Sequence, residues 1–145
     1  MSNQDSQQYS SEIKIRLGIS TCLLGENVRF DGGHKHDQYL TGTLAQFVEW
    51  VPVCPEVEIG LGTPRESLHL AGDPAAPRMV TTKTNRDHTK AMLKFSQAKT
   101  EQLKSLQLNG YILKKDSPSC GMERVRVYSE KAWRRATVSA CSPAC

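Results

Sequence analysis

Three cysteines that each follow a short apolar segment constrain the fold of this chain more than any other feature. Residues 13–19 alternate apolar and polar side chains with a period of two, the mark of a half-buried strand, and lead to Cys22. Val51-Pro52-Val53 runs into Cys54, and a proline there points to an edge or very short strand. Tyr111-Ile112-Leu113 reads as a buried strand, with Cys120 in the loop behind it. Leu40, Leu44, Phe47 and Val48 recur at helical spacing and predict a short helix over about 38–49. A longer helix is expected from Asp87 or Thr89 to Leu108, with Met92, Phe95, Leu103 and Leu106 near one face and Asn109-Gly110 as its left-handed stop. Residues 60–79 read as loop with a helical turn near Glu66–Leu70, Met79–Thr82 as a short strand and Arg124–Tyr128 as a last one. Strand, helix and strand in repetition predict an α/β fold: a single Rossmann-like domain with a short, largely parallel sheet flanked by helices. In such sheets the ligand crevice lies beyond the carboxyl ends of the strands, so Cys22, Cys54 and Cys120 can meet there despite their distance in sequence.

Composition narrows what they can do. At 145 residues the chain suits one domain, and Leu, Ile, Val and Phe together number only 30, a thin core. No run of about 20 apolar residues is present, which excludes a helical membrane span. The polar start MSNQDSQQYSSE has no apolar core of a secretory signal, and residues 1–12 are expected to lack fixed structure. The expected setting is therefore the cytoplasm, where five cysteines read as metal or catalytic ligands before disulfides. The net charge of +4 is mostly terminal: Lys131, Arg134 and Arg135 fall in an acid-free tail, which leaves +1 on the first 130 residues. No basic stripe across the body announces nucleic acid.

A structural zinc site wants four closed ligands, commonly in paired close spacing, and the body offers neither. A [4Fe–4S] cluster takes one thiolate per iron, so three would leave one iron open to a substrate atom. The plainer alternative is three small buried side chains or free thiols.

The residues around the cysteines carry more. Ser20-Thr-Cys22-Leu-Leu-Gly25, Arg29-Phe-Asp31-Gly32-Gly33, Val53-Cys54-Pro55-Glu56-Val57, Gly60-Leu-Gly-Thr-Pro64-Arg65 and Lys115-Asp-Ser117-Pro118-Ser119-Cys120-Gly121 occur together and in order. The set resembles the thiouracil desulfurase (TudS) family over about residues 13–130. The resemblance implies that Cys22, Cys54 and Cys120 ligate a [4Fe–4S] cluster whose fourth iron takes the sulfur of a thiolated pyrimidine. It makes Glu56 the proton-transfer group and Ser117 and Asp31 the substrate-orienting groups. Each has a plainer reading beside it: a helix-start carboxylate for Glu56, a turn for Asp31 and loop caps for Ser117 and Ser119. The implied partner is a thiolated pyrimidine base, nucleoside or tRNA. A non-catalytic thiolate metal-binding module with a structural or RNA-binding role is the alternative, and an electron-transfer or redox-sensing cluster protein a third.

Arg65 could fork onto a substrate anion or form a salt bridge, and Ser119 could touch substrate. His34 and His36 could ligate a metal but have no third ligand nearby in sequence, which favours a solvated loop pair. Lys114 and Lys115 could guide a polynucleotide or be ordinary surface. Residues 131–145 break from the body in composition and are expected to be a strand-poor, truncated or out-of-frame tail. A fourth ligand from Cys141 or Cys145 would close the open iron.

Overall fold

The computed structural model describes residues 14–123 and 125–129, and the backbone of 132–137. Strand β1 (Ile15–Ser20) lies at the centre of a parallel sheet in the order β2-β1-β5, between β2 (Val48–Val53) and β5 (Gly110–Ile112). This is the parallel sheet that the alternating pattern predicts, and Pro52 sits on its edge strand, where the missing N–H costs no ladder bond on the open side. Burial along β1 rises towards its carboxyl end, where Gly18, Ile19 and Ser20 are all buried. Gly18 is required there: a Cβ would lie 2.2 Å from the ring of Tyr111 on β5.

A second, mixed sheet joins the first, in the order β4-β3-β6-β7. It comprises β3 (Leu68–Ala71), β4 (Arg78–Thr81), β6 (Arg126–Ser129) and β7 (Ala132–Thr137). β3 pairs antiparallel with β4 and parallel with β6, and β6 pairs antiparallel with β7. Helix α2 (Thr89–Ser105) packs its Met92 into the core made by Leu68, Leu70, Met79, Val125 and Val127, with Ile59, Leu61 and Phe95 against it.

Four local expectations are corrected. The helix expected over 38–49 is a π turn (Tyr39–Thr43) and a 3-10 turn (Leu44–Gln46), and Val48 opens β2 because its β-branched neighbours pair with β1. The helical turn expected at Glu66–Leu70 is strand β3, whose partners lie on β4 and β6. The left-handed residue behind α2 is Gln107, at φ 52, and Gly110 begins β5 instead. The stretch expected to be strand-poor contains β7: a chain returning along β6 satisfies backbone groups that would otherwise form an open edge. Cys141, Cys145 and residues 1–12 lie outside the described residues. No helix among the described residues is long and apolar enough to cross a membrane.

Candidate active site

The site is built on the carboxyl ends of the parallel strands. A 3-10 turn (Thr21–Leu24) takes the chain out of β1 and carries Cys22, which is buried. Cys54 stands between β2 and the one-turn helix α1 (Pro55–Glu58), whose start Pro55 favours by its fixed φ. Cys120 belongs to the loop behind β5, and Ser20 at the end of β1 ties that loop down by accepting the Lys114 N–H at 3.0 Å. The three cysteines are free thiols and line one cavity of about 220 Å³. Glu56, Arg65, Ser117, Ser119, Phe30 and Lys114 line it too.

Glu56 is held from both sides. Its Oε2 accepts from Arg65 Nε at 2.9 Å and from Nη2 at 2.7 Å, while Oε1 accepts from the Ser119 hydroxyl at 2.8 Å. Ser119 Oγ lies 3.3 Å from Ser117 Oγ and 3.8 Å from the Cys120 sulfur. Ser117 Oγ also accepts the Cys120 N–H at 3.2 Å, so the Ser-Pro-Ser-Cys loop is bonded to itself and to Glu56. Cys54 is anchored in the same way, its N–H donating to Glu58 Oε1 at 3.3 Å while Glu58 Oε2 lies 2.5 Å from Lys99 Nζ on α2. Burial pushes all three thiols above their ordinary range; Cys120 adds to this at Cys22, and the Glu56 carboxylate adds to it at Cys54 and Cys120. Hydrogen bonds from Ser20, Ser119 and Ser117 act in the opposite direction on Cys120.

The donor set fits a cluster better than a single ion. Among the described residues no group of three His, Cys, Asp or Glu side chains could hold one metal ion. A cubane spreads its thiolates over separate corners, so its ligands share a cavity without converging on a point.

Of the expected site residues, Asp31 alone is not brought to the cavity. Its Oδ1 accepts the Gly33 N–H at 2.9 Å, which holds the carboxyl below its usual range, and Oδ2 lies 3.8 Å from Arg29. The turn that the Asp-Gly-Gly sequence allows has pulled the carboxylate outward and turned the neighbouring Phe30 into the lining. Arg65 forms the salt bridge with Glu56, and Ser119 donates to the same carboxylate. His36 Nε2 bonds Thr41 Oγ1 at 2.8 Å and His34 Nδ1 accepts the His36 N–H at 3.1 Å, a locally bonded loop pair. Lys114 Nζ reaches the Lys115 carbonyl at 2.7 Å, and Lys115 is exposed. Ser20, Phe30 and Glu58 were missed; a polar residue ending an apolar strand was the available signal for Ser20.

Fold and site together define a cysteine-rich α/β domain with an acid–hydroxyl pair beside its thiols. The chain belongs to the 2-thiouracil desulfurase family, whose model matches residues 17–141. It is similar to the uncharacterized protein YbbK of Bacillus subtilis, 28% identical over 108 residues that make up 71% of each chain. It is also similar to a solved structure of the [4Fe-4S]-dependent thiouracil desulfidase TudS, with TM-score 0.67 and 28% identity over 88% of this chain and 81% of that one.

Proposed function

We propose that this protein is a [4Fe–4S]-dependent desulfurase that removes sulfur from a thiolated pyrimidine, either 2-thiouracil or 2-thiouridine in RNA. The observation that carries the reading is one cavity lined by Cys22, Cys54 and Cys120 together with Glu56, Ser117 and Ser119. Cys22, Cys54 and Cys120 would hold the cluster, which supplies a soft Lewis acid suited to sulfur.

The overall exchange is redox-neutral. A carbon–sulfur double bond is replaced by a carbon–oxygen double bond, and the two hydrogens of water leave with sulfur as hydrogen sulfide. The chain's own residues must therefore move protons and exclude stray water. Glu56 Oε1 takes the proton that water gives up, and Ser119, already donating to it at 2.8 Å, relays between that oxygen and the cavity. Ser117 orients the pyrimidine through its hydroxyl, which can donate or accept. The setting is the cytoplasm, where thiol ligands stay reduced.

Reconstitution with iron and sulfide without oxygen tests this. The expected product is brown, holds about four irons per chain, and releases sulfide and uracil from 2-thiouracil. A colourless, inert protein that retains zinc would overturn it in favour of the non-catalytic module. Sulfide release from thiouridine-containing tRNA but not from the free base would assign the RNA substrate.

A further inference from the structure

Arg65 donates nearly everything it has to the protein itself. Beyond the two bonds to Glu56 Oε2, Nη1 donates to the Gly62 carbonyl at 2.8 Å and to Thr63 Oγ1 at 3.2 Å. Its backbone N–H donates to the Phe30 carbonyl at 2.9 Å, which fixes the turn that brings Phe30 to the cavity. The Arg65 side chain is 6% exposed and that of Glu56 12%, so the pair is largely shielded from water. A guanidinium so committed has little left with which to hold a ligand. It does, however, determine which carboxylate oxygen is available: among the described residues Oε2 receives two N–H donors, and Oε1 only the Ser119 hydroxyl.

We propose that Arg65 is a positioning residue that fixes the Glu56 carboxylate so that Oε1 alone exchanges protons, through Ser119. An unanchored glutamate samples several rotamers about three side-chain bonds; the fork removes that freedom and presents one oxygen on the hydroxyl side. The inference rests on the desulfurase reading and adds the residue that orients its acid–base group.

The test is kinetic, on the reconstituted protein with 2-thiouracil. Arg65→Met is expected to lower kcat by about 100-fold, as a misplaced catalytic group does, with KM and iron content essentially unchanged. Arg65→Lys keeps the cation but not the fork and is expected to recover about a tenth of the lost rate. In a Glu56→Asp background, whose carboxylate is too short to meet both partners, Arg65→Met should cost less than about threefold, because the two residues act as one unit. A purely structural arginine would cost the same factor in both backgrounds, and that result overturns the proposal. So does a raised KM with kcat intact, which would mark a substrate-binding arginine. Should Arg65→Met fail to take up iron, Arg65→Lys decides: normal iron with lowered kcat supports the proposal, while full kcat or loss of iron overturns it. Failure of the parent protein to release sulfide would be seen first and would strike the desulfurase reading itself.

Discussion

A methyl group on Gly121 would lie 2.6 Å from the Ser117 carbonyl oxygen and 2.6 Å from Val125 Cγ2. Neither neighbour can yield easily, since the Gly121 N–H already donates to that carbonyl at 2.8 Å and Val125 is buried in the core. Gly121→Ala is expected to destabilise the protein by roughly 1–3 kcal/mol, as overpacking does, with a loss of iron uptake; urea unfolding and iron analysis measure the two. Ser119→Ala removes the hydroxyl donor to Glu56 Oε1 and is expected to lower the rate of sulfide release with iron content unchanged. At this scale the meeting of Cys22, Cys54, Cys120 and Glu56 in one cavity was legible because each stands in a dense local motif beside a strand end. The partner of Arg65 was not, because the chain must fold back through the Gly62–Thr63 turn before guanidinium and carboxylate meet. Asp31 stands outside the cavity lining because the Gly33 N–H, two residues on, captures its carboxylate.

Among the elements, α2 shows what periodicity reads well and badly. Its apolar spacing placed the helix correctly, while its start depends on Asp87, whose Oδ1 accepts the Thr89 N–H at 2.8 Å. Asp87→Ala removes this bond to the first N–H of the helix together with the 3.5 Å ion pair to Arg78, and should cost about 1 kcal/mol in thermal or urea unfolding. Strand β3 escaped the sequence reading because four residues cannot establish a period, and one of its two partners, β6, lies more than fifty residues further along the chain. Burial on β3 also holds His69 below the usual histidine range. The fold thus favours the neutral ring: this contribution to stability is complete above the unfolded value of about 6.5 and is lost as pH falls through the lower folded value. Urea midpoints at pH 7.5 and 5 should differ less in His69→Gln than in the parent protein.

For the whole molecule, the parallel sheet and its crevice were legible, since strand–helix alternation leaves few topologies. Of the second sheet, β4 and β6 were legible as strands, but β3, β7 and their separation from the first sheet were not, because these are defined by pairing and not by pattern. Leu68 of β3 and the adjoining Ser67 wall the cavity, so the site lies where the two sheets meet. If metal binding contributes folding free energy here, the loaded protein should melt well above the stripped one, and Cys→Ser at 22, 54 or 120 should abolish the difference. Cys120 also lies on the stretch of chain that leads from β5 of one sheet to β6 of the other. Exposed Lys115 stands on the same stretch. Damage to the cofactor by air would therefore be translated into backbone accessibility: trypsin should cut after Lys115 faster in oxygen-bleached protein than in the intact form.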